Sequence, residues 1–210
     1  MKYKFLILLL LLMTFCQAAE VLMTFERQSG GLTGQYSMLT TDGTLWESSN
    51  PVYSNSNYYY MQYLFDRQHV EAGWGTGWLA SNVNTEKSLT VTFTEAKYIT
   101  KIRSYNIMHP GYYNDAHLST SSNGTNFTQR GDIITGTHYN DVNYYNYYVD
   151  IVINDFVKKI RYDFFNITYN GCALLTEMEI YTDANYAIPE PAYLLFLGIL
   201  IFGIARKMRR

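Results

Sequence analysis

Lys159-Ile160-Arg161-Tyr162-Asp163-Phe164 alternates strictly, with Ile160, Tyr162 and Phe164 on one side and Lys159, Arg161 and Asp163 on the other. A strand sends successive side chains to opposite faces, so this pattern predicts a half-buried β-strand. Ser88-Leu89-Thr90-Val91-Thr92-Phe93 repeats it, and in residues 147–153 Tyr147, Val149, Ile151 and Ile153 alternate with Tyr148 and Asp150. Further runs at 21–25, 99–108, 116–120 and 173–181 bring the expected strands to seven or eight. Clusters such as Gly30-Gly31 and Asn170-Gly171 separate them, and there are almost no helix signals before the C-terminal segment. Asn123-Gly124 lies between 116–121 and 125–127 and reads as a two-residue hairpin turn, because both positions tolerate positive φ. Many short strands punctuated by turns predict an all-β sandwich or jelly roll over residues 20–184, without internal repeats.

The two ends of the chain differ from this domain. Lys2 and Lys4 precede an apolar run at 5–13, and Ala18 and Ala19 follow, the order of a secretory signal peptide spanning 1–19. Cys16 raises a lipoprotein alternative, against which stands the bulky Phe15 before it. At the other end, residues 185–188 read as a linker, Pro189-Glu190-Pro191 breaks regular structure, fourteen apolar residues follow at 192–205, and Arg206, Lys207, Arg209 and Arg210 form a basic cluster within 206–210. Such a run makes a helix of about 21 Å against a hydrocarbon core of about 30 Å, a short transmembrane span whose basic end stays cytoplasmic. This order of elements resembles the PEP-CTERM sorting signal of Gram-negative bacteria. The resemblance implies an exosortase-type enzyme that cuts near Pro189-Glu190-Pro191. The expected route is export by the Sec pathway, an inner-membrane precursor, and a final place at the cell surface or outside the cell.

Composition narrows the function of the middle. Residues 20–188 hold ten of the sixteen Lys and Arg and seventeen of the eighteen Asp and Glu, a formal charge of −7, which argues against nucleic acid as a partner. Removal of Cys16 with the leader leaves Cys172 alone, so no intrachain disulfide can form, and Cys172 reads as a buried structural thiol. Tyrosine is abundant at 21 residues, clustered at 58–60, 112–113, 144–145 and 147–148. A flat ring with a polar tip suits an exposed sheet face and a sugar-stacking platform equally.

Several segments together resemble the discoidin, or coagulation-factor type C, family of galactose-binding-like jelly rolls. They are Leu64-Phe65-Asp66 with Thr76-Gly77-Trp78, residues 88–93 and 98–103 as paired strands, residues 118–127 as a hairpin, and 159–162 with 175–181 as the last two strands. Asn123 stands where that family usually has Asp, and the loop at 67–75 is unusual. The resemblance implies a structural Ca2+ held by oxygen ligands, with Asp66, the carbonyl of Thr76 and Glu177 in the matching positions. It also implies partners among sugars or phospholipids, bound by loops at one end of the sandwich. Sugar recognition needs aromatic surface and convergent hydrogen-bonding groups, which makes Trp74, His109, Tyr112, Tyr113 and Asn114 the candidate ligand-binding residues.

Other residues read more plainly. Trp46 and Trp78 are expected core aromatics, and His69, His117 and His138 lack metal-ligand spacing. The sequons at Asn123, Asn126 and Asn166 match Asn-x-Ser/Thr, but the sorting-signal resemblance implies a bacterium, where such matches carry no weight. Gly-x-Ser-x-Gly, His-Glu-x-x-His and phosphate-loop motifs are absent, and the expectation is a non-catalytic protein. Glu177 and Glu179 lie two apart on an expected strand and point the same way, which keeps a small glycoside hydrolase open. A carbohydrate-binding protein of the extracellular matrix and a structural adhesion protein without a glycan site are the other two readings.

Overall fold

The computed structural model describes residues 20–28, 36–51, 61–65, 78–82, 86–108, 114–138, 148–168 and 171–184. Among them the only helical element is a single 3-10 turn at Met61–Leu64, and the rest is strand, turn and loop. The described strands follow in chain order: β1 (Glu20–Leu22), β2 (Ser37–Leu39), β3 (Leu45–Ser48), β4 (Trp78–Leu79), β5 (Ser88–Tyr105), β6 (Ile107–Met108), β7 (Asp115–Ser121), β8 (Thr128–Thr135), β9 (Thr137–His138), β10 (Val149–Phe165), β11 (Leu174–Leu175) and β12 (Glu177–Asp183). The domain is all-β, as its alternating sequence requires. Residues Leu22–Tyr181 make one compact unit, and the N- and C-terminal segments form another.

The main sheet runs β1-β12-β5-β10-β7-β8, with β3 also paired to β5 and β2 to β3. Strands β4 and β11 form a separate antiparallel pair, and β6 and β9 a short parallel one. The architecture is dominated by the length of β5 and β10, at 18 and 17 residues. Sequence patterning divides each into two strands, and the discoidin resemblance implies that 88–93 and 98–103 are partners of each other. They are instead successive halves of β5, whose partners are β10, β3 and β12. Register shifts between Val152 and Asp155 and between Val157 and Lys159 insert extra residues into the β5/β10 ladder. Such irregularities can change which face a residue looks towards. Across the second shift the inward set of β10 changes parity: Ile151, Ile153 and Val157 face the core from odd positions, and Ile160, Tyr162 and Phe164 from even ones. Asn154 takes up the bend with a positive φ of 47°, a conformation Asn tolerates better than most residues.

The core draws on both halves of the long strands: Leu89, Val91, Phe93, Ile99 and Ile102 from β5, with Met178 and Ile180 from β12. Trp46 packs edge-on against Phe25, centroids 5.3 Å apart, and Trp78 tilts against Phe164 at the same separation. Both indoles are fully buried, as their sequence setting implied. Burying side chains of this size stabilises the fold by roughly 2–3 kcal/mol each.

Two further expectations change. The run at 173–181 is two elements, β11 and β12, which separate at Thr176, whose N–H donates to the Tyr105 carbonyl. The Asn123-Gly124 turn is longer than a two-residue hairpin: Thr120 pairs with Thr128, and residues 125–127 belong to the loop rather than to a strand. The Asn123 side chain builds that loop itself. Its Oδ1 accepts hydrogen bonds from Ser121 Oγ, Thr125 N, Thr125 Oγ1 and Asn126 N, and such a local network replaces the ladder bonds a tight hairpin would make.

Candidate functional site

Several chain segments are tied together at the Tyr105 end of β5. Asn114 is the knot. Its side-chain Oδ1 accepts the Leu174 N–H at 2.9 Å, and its backbone carbonyl accepts both Asn106 Nδ2 and the Gly136 N–H at 3.2 Å. Next to it, β6 pairs with β9, Ile107 opposite Thr137 and Met108 opposite His138. Leu175 pairs with Trp78, and the Tyr105 ring meets the Tyr148 ring at 5.7 Å. The residues flanking 66–77, 109–113 and 139–147 on at least one side therefore converge at one end of the sheet. The polar groups beneath are sealed: Asn114 is 1% exposed, Asn106 2% and Glu177 1%.

Of the sequence-derived candidates, Trp74, His109, Tyr112 and Tyr113 lie outside the described residues, as do Asp66, Thr76, Pro189, Glu190, Pro191, Arg206, Lys207, Arg209 and Arg210. Asn114 is buried and holds Leu174, so it supports the loop end from below, while its Nδ2 lacks a hydrogen-bond partner among the described residues. Glu177 is buried on β12 rather than solvent-facing. Among the described residues no group of three or more His, Cys, Asp or Glu is placed to hold a metal, and no helix is long and apolar enough to cross a membrane.

Cys172 is buried, and that burial pushes its thiol pKa up, which keeps it protonated and unreactive. Lys87, also buried, has its pKa lowered by desolvation. His117 stacks on Phe165 with centroids 4.7 Å apart.

Beside the loop end, the face of the sheet turned away from the core carries an array that spacing alone did not reveal. Arg103 on β5 donates to Asp150 on β10 through Nε at 2.7 Å and Nη2 at 2.9 Å, a bidentate pair. The same guanidinium lies 3.6 Å over the Tyr148 ring and 3.8 Å from Glu179 on β12. Lys101 sits 4.5 Å over the Tyr181 ring and 3.8 Å from Asp150. Tyr181 and Tyr105 donate their hydroxyls to Glu179, at 2.7 and 3.4 Å.

The electrostatics follow from these contacts. Hydrogen bonds from Arg103 hold the Asp150 carboxyl below the ordinary carboxylate range, and Asp150 in turn raises the Arg103 pKa. Burial, then Glu179, pushes the Tyr105 phenol up to about 12, and burial with the Glu179 bond raises Tyr181 as well. Both phenols are therefore protonated donors at neutral pH. The signal in the sequence was the outward parity of 101, 103, 105 and of 177, 179, 181, which carries Tyr and charge where a plain sheet surface would carry Ser and Thr.

No protein-family model matches the sequence, and no curated protein matches it. Solved structures do. The chain is similar to a pectin-binding carbohydrate-binding module at 15% identity, over 64% of this chain and 87% of that one, with a TM-score of 0.48. It is similar to the F5/8 type C domain of a Bacteroides fragilis protein at 15% identity, over 72% of this chain and 99% of that one, with a TM-score of 0.49. A truncated protein with a family 32 carbohydrate-binding module and an alginate lyase domain matches at 13% identity and a TM-score of 0.48, over 80% of this chain and 34% of that one.

Proposed function

We propose that this is an exported, non-catalytic protein of the cell surface or extracellular matrix whose domain, a galactose-binding-like jelly roll, binds carbohydrate. The observation that carries this reading is the convergence of the flanks of 66–77, 109–113 and 139–147 on the Tyr105 end of β5. Those segments hold Trp74, His109, Tyr112 and Tyr113, the aromatic and hydrogen-bonding residues that a glycan site needs. The leader and the 189–210 segment support export, a transient inner-membrane anchor and cutting by an exosortase-type enzyme. If Ca2+ is bound, Asp66, the Thr76 carbonyl and Glu177 would hold it. The fit is reasonable in charge and in position, since buried Glu177 lies two residues from the Leu175–Trp78 pair and Thr76 two residues before Trp78.

The hydrolase reading would use Glu177 and Glu179. It is disfavoured because Glu179 accepts two tyrosine hydroxyls and Glu177 is sealed from solvent. The direct test is retention of the protein on exopolysaccharide from the producing organism. A shallow aromatic site should bind at about 0.1–1 mM, roughly −4 to −5.5 kcal/mol, with many surface copies supplying avidity. Trp74→Ala and Tyr112→Ala should abolish retention while the protein still folds; wild-type protein that elutes unretarded would leave the adhesion reading in place. Mass spectrometry of the extracellular form should find both termini removed, and an intact Arg210 there would refute processing.

A further inference from the structure

The outward face built by β12, β5 and β10 is unusual in combining aromatic rings that lie under cations, paired charges and graded access. At the loop end, Tyr105 and Glu177 are buried. One step along, the Arg103 and Asp150 side chains are 20% and 33% exposed, and one step further Val152 is 67% exposed, with Tyr148 at the margin 39% exposed. From Tyr105 to Lys101 this ledge extends about 13 Å along β5, at ~3.3 Å per residue.

We infer that this ledge is a second contact surface for the same ligand, and that the ligand is an internal stretch of a neutral polysaccharide rather than a chain end or an acidic polymer. The inference rests on the glycan-binding reading above. Its charge argument is local. Arg103 and Lys101 face Asp150 and Glu179, so the two cations are matched by two carboxylates. A uronic-acid chain would have to displace Asp150 from Arg103 and would approach a domain of formal charge −7, ten cations against seventeen carboxylates. A neutral sugar needs no such displacement. Its hydroxyls can donate to carboxylate lone pairs and accept from guanidinium and ammonium N–H groups, and the exposed part of the Tyr148 ring offers apolar surface to its C–H groups. Because the ledge continues from the loop end for longer than one sugar ring, only a polymer engages both.

The test is affinity electrophoresis of the full-length protein, in a non-glycosidic detergent, through gels containing galactomannan, xyloglucan or polygalacturonate. Oligosaccharides of two to six sugars cut from a retarding polymer then follow by calorimetry. The expected result is retardation by a neutral polymer, affinity that rises with chain length, and loss of that rise in Tyr148→Ala and in Arg103→Met with Asp150→Leu. The six-sugar ligand should weaken about tenfold while the two-sugar ligand is held as before. The paired substitution removes both charges together so that neither is left unmatched, and Lys101→Met serves if it fails to fold. Retardation by polygalacturonate alone, or length dependence unchanged in the folded variants, overturns the inference and leaves glycan binding standing. Absence of retardation in every gel removes both.

Discussion

Replacing Asn123 by Asp should stabilise the protein. The Asn123 Oδ1 accepts four hydrogen bonds at 2.9–3.0 Å, from Ser121, Thr125 and Asn126. Among the described residues, none of the bonds at this turn uses the side-chain amide as donor. A carboxylate would keep every acceptor role, and charged acceptors make bonds roughly twice as strong as neutral ones. The alkyl stems of Lys158 and Lys159 flank the adjacent Gly124, and the Lys158 ammonium donates to the Thr94 carbonyl, so the gain rests on the hydrogen bonds rather than on a nearby cation. The loop is exposed, so desolvation costs little and solvent screens part of the gain. The net expectation is about 0.5–1.5 kcal/mol, a rise in Tm of roughly 2–6 °C. The pH dependence has a definite sign. Those hydrogen bonds would depress the folded pKa of the introduced carboxyl below its unfolded value of about 3.9. The gain is then fully present above that unfolded value and lost as pH falls through the folded one. Thermal unfolding of wild type, Asn123→Asp and Asn123→Ala at neutral and acid pH checks this. Asn123→Ala should lose about 1–2 kcal/mol. Equal melting temperatures for all three at neutral pH would refute the assignment of Asn123 as the organiser of the loop.

Gly43→Ala should cost at least about 2 kcal/mol in denaturant unfolding, because Gly43 has φ +80° and an added Cβ would lie 2.6 Å from Thr94 Cγ2; a loss under about 0.5 kcal/mol would contradict that crowding. Asp150→Asn should destabilise by about 0.5–1 kcal/mol near neutral pH. Since Arg103 depresses the folded Asp150 pKa, that difference should fade as pH falls below the unfolded value of about 3.9, and a difference unchanged into acid would argue against the ion pair. Chelation should lower the melting temperature of wild type but not of Asp66→Ala, by an amount equivalent to about 2.7 kcal/mol at a hundredfold excess of Ca2+ over its Kd. Identical curves with and without chelator would remove Ca2+ from the account.

Local alternation was enough to establish the all-β class and the buried faces, because strand periodicity is a property of neighbouring residues. Ile160, Tyr162 and Phe164 were legible for that reason, and Trp46 and Trp78 as large aromatic rings suited to a core. The leader and sorting readings proposed for the two ends rest on a different kind of signal, the length, charge and apolarity of the linear chain. What the chain could not announce was the union of its strands. The inward parity of β10 inverts between Val157 and Ile160 and that of β5 between Ile99 and Ile102, so β5 and β10 each look like two strands until the ladder that pairs them is known. The Arg103 array was hidden in the same way. Asp150 lies 47 residues from Arg103, and Glu179 lies 74 from Tyr105, so only the side-by-side order of β12, β5 and β10 puts two cations, three phenols and the carboxylates of Asp150, Glu177 and Glu179 on one face. Composition determined that tyrosine and acid would dominate this domain, and tertiary pairing decided which of them would meet.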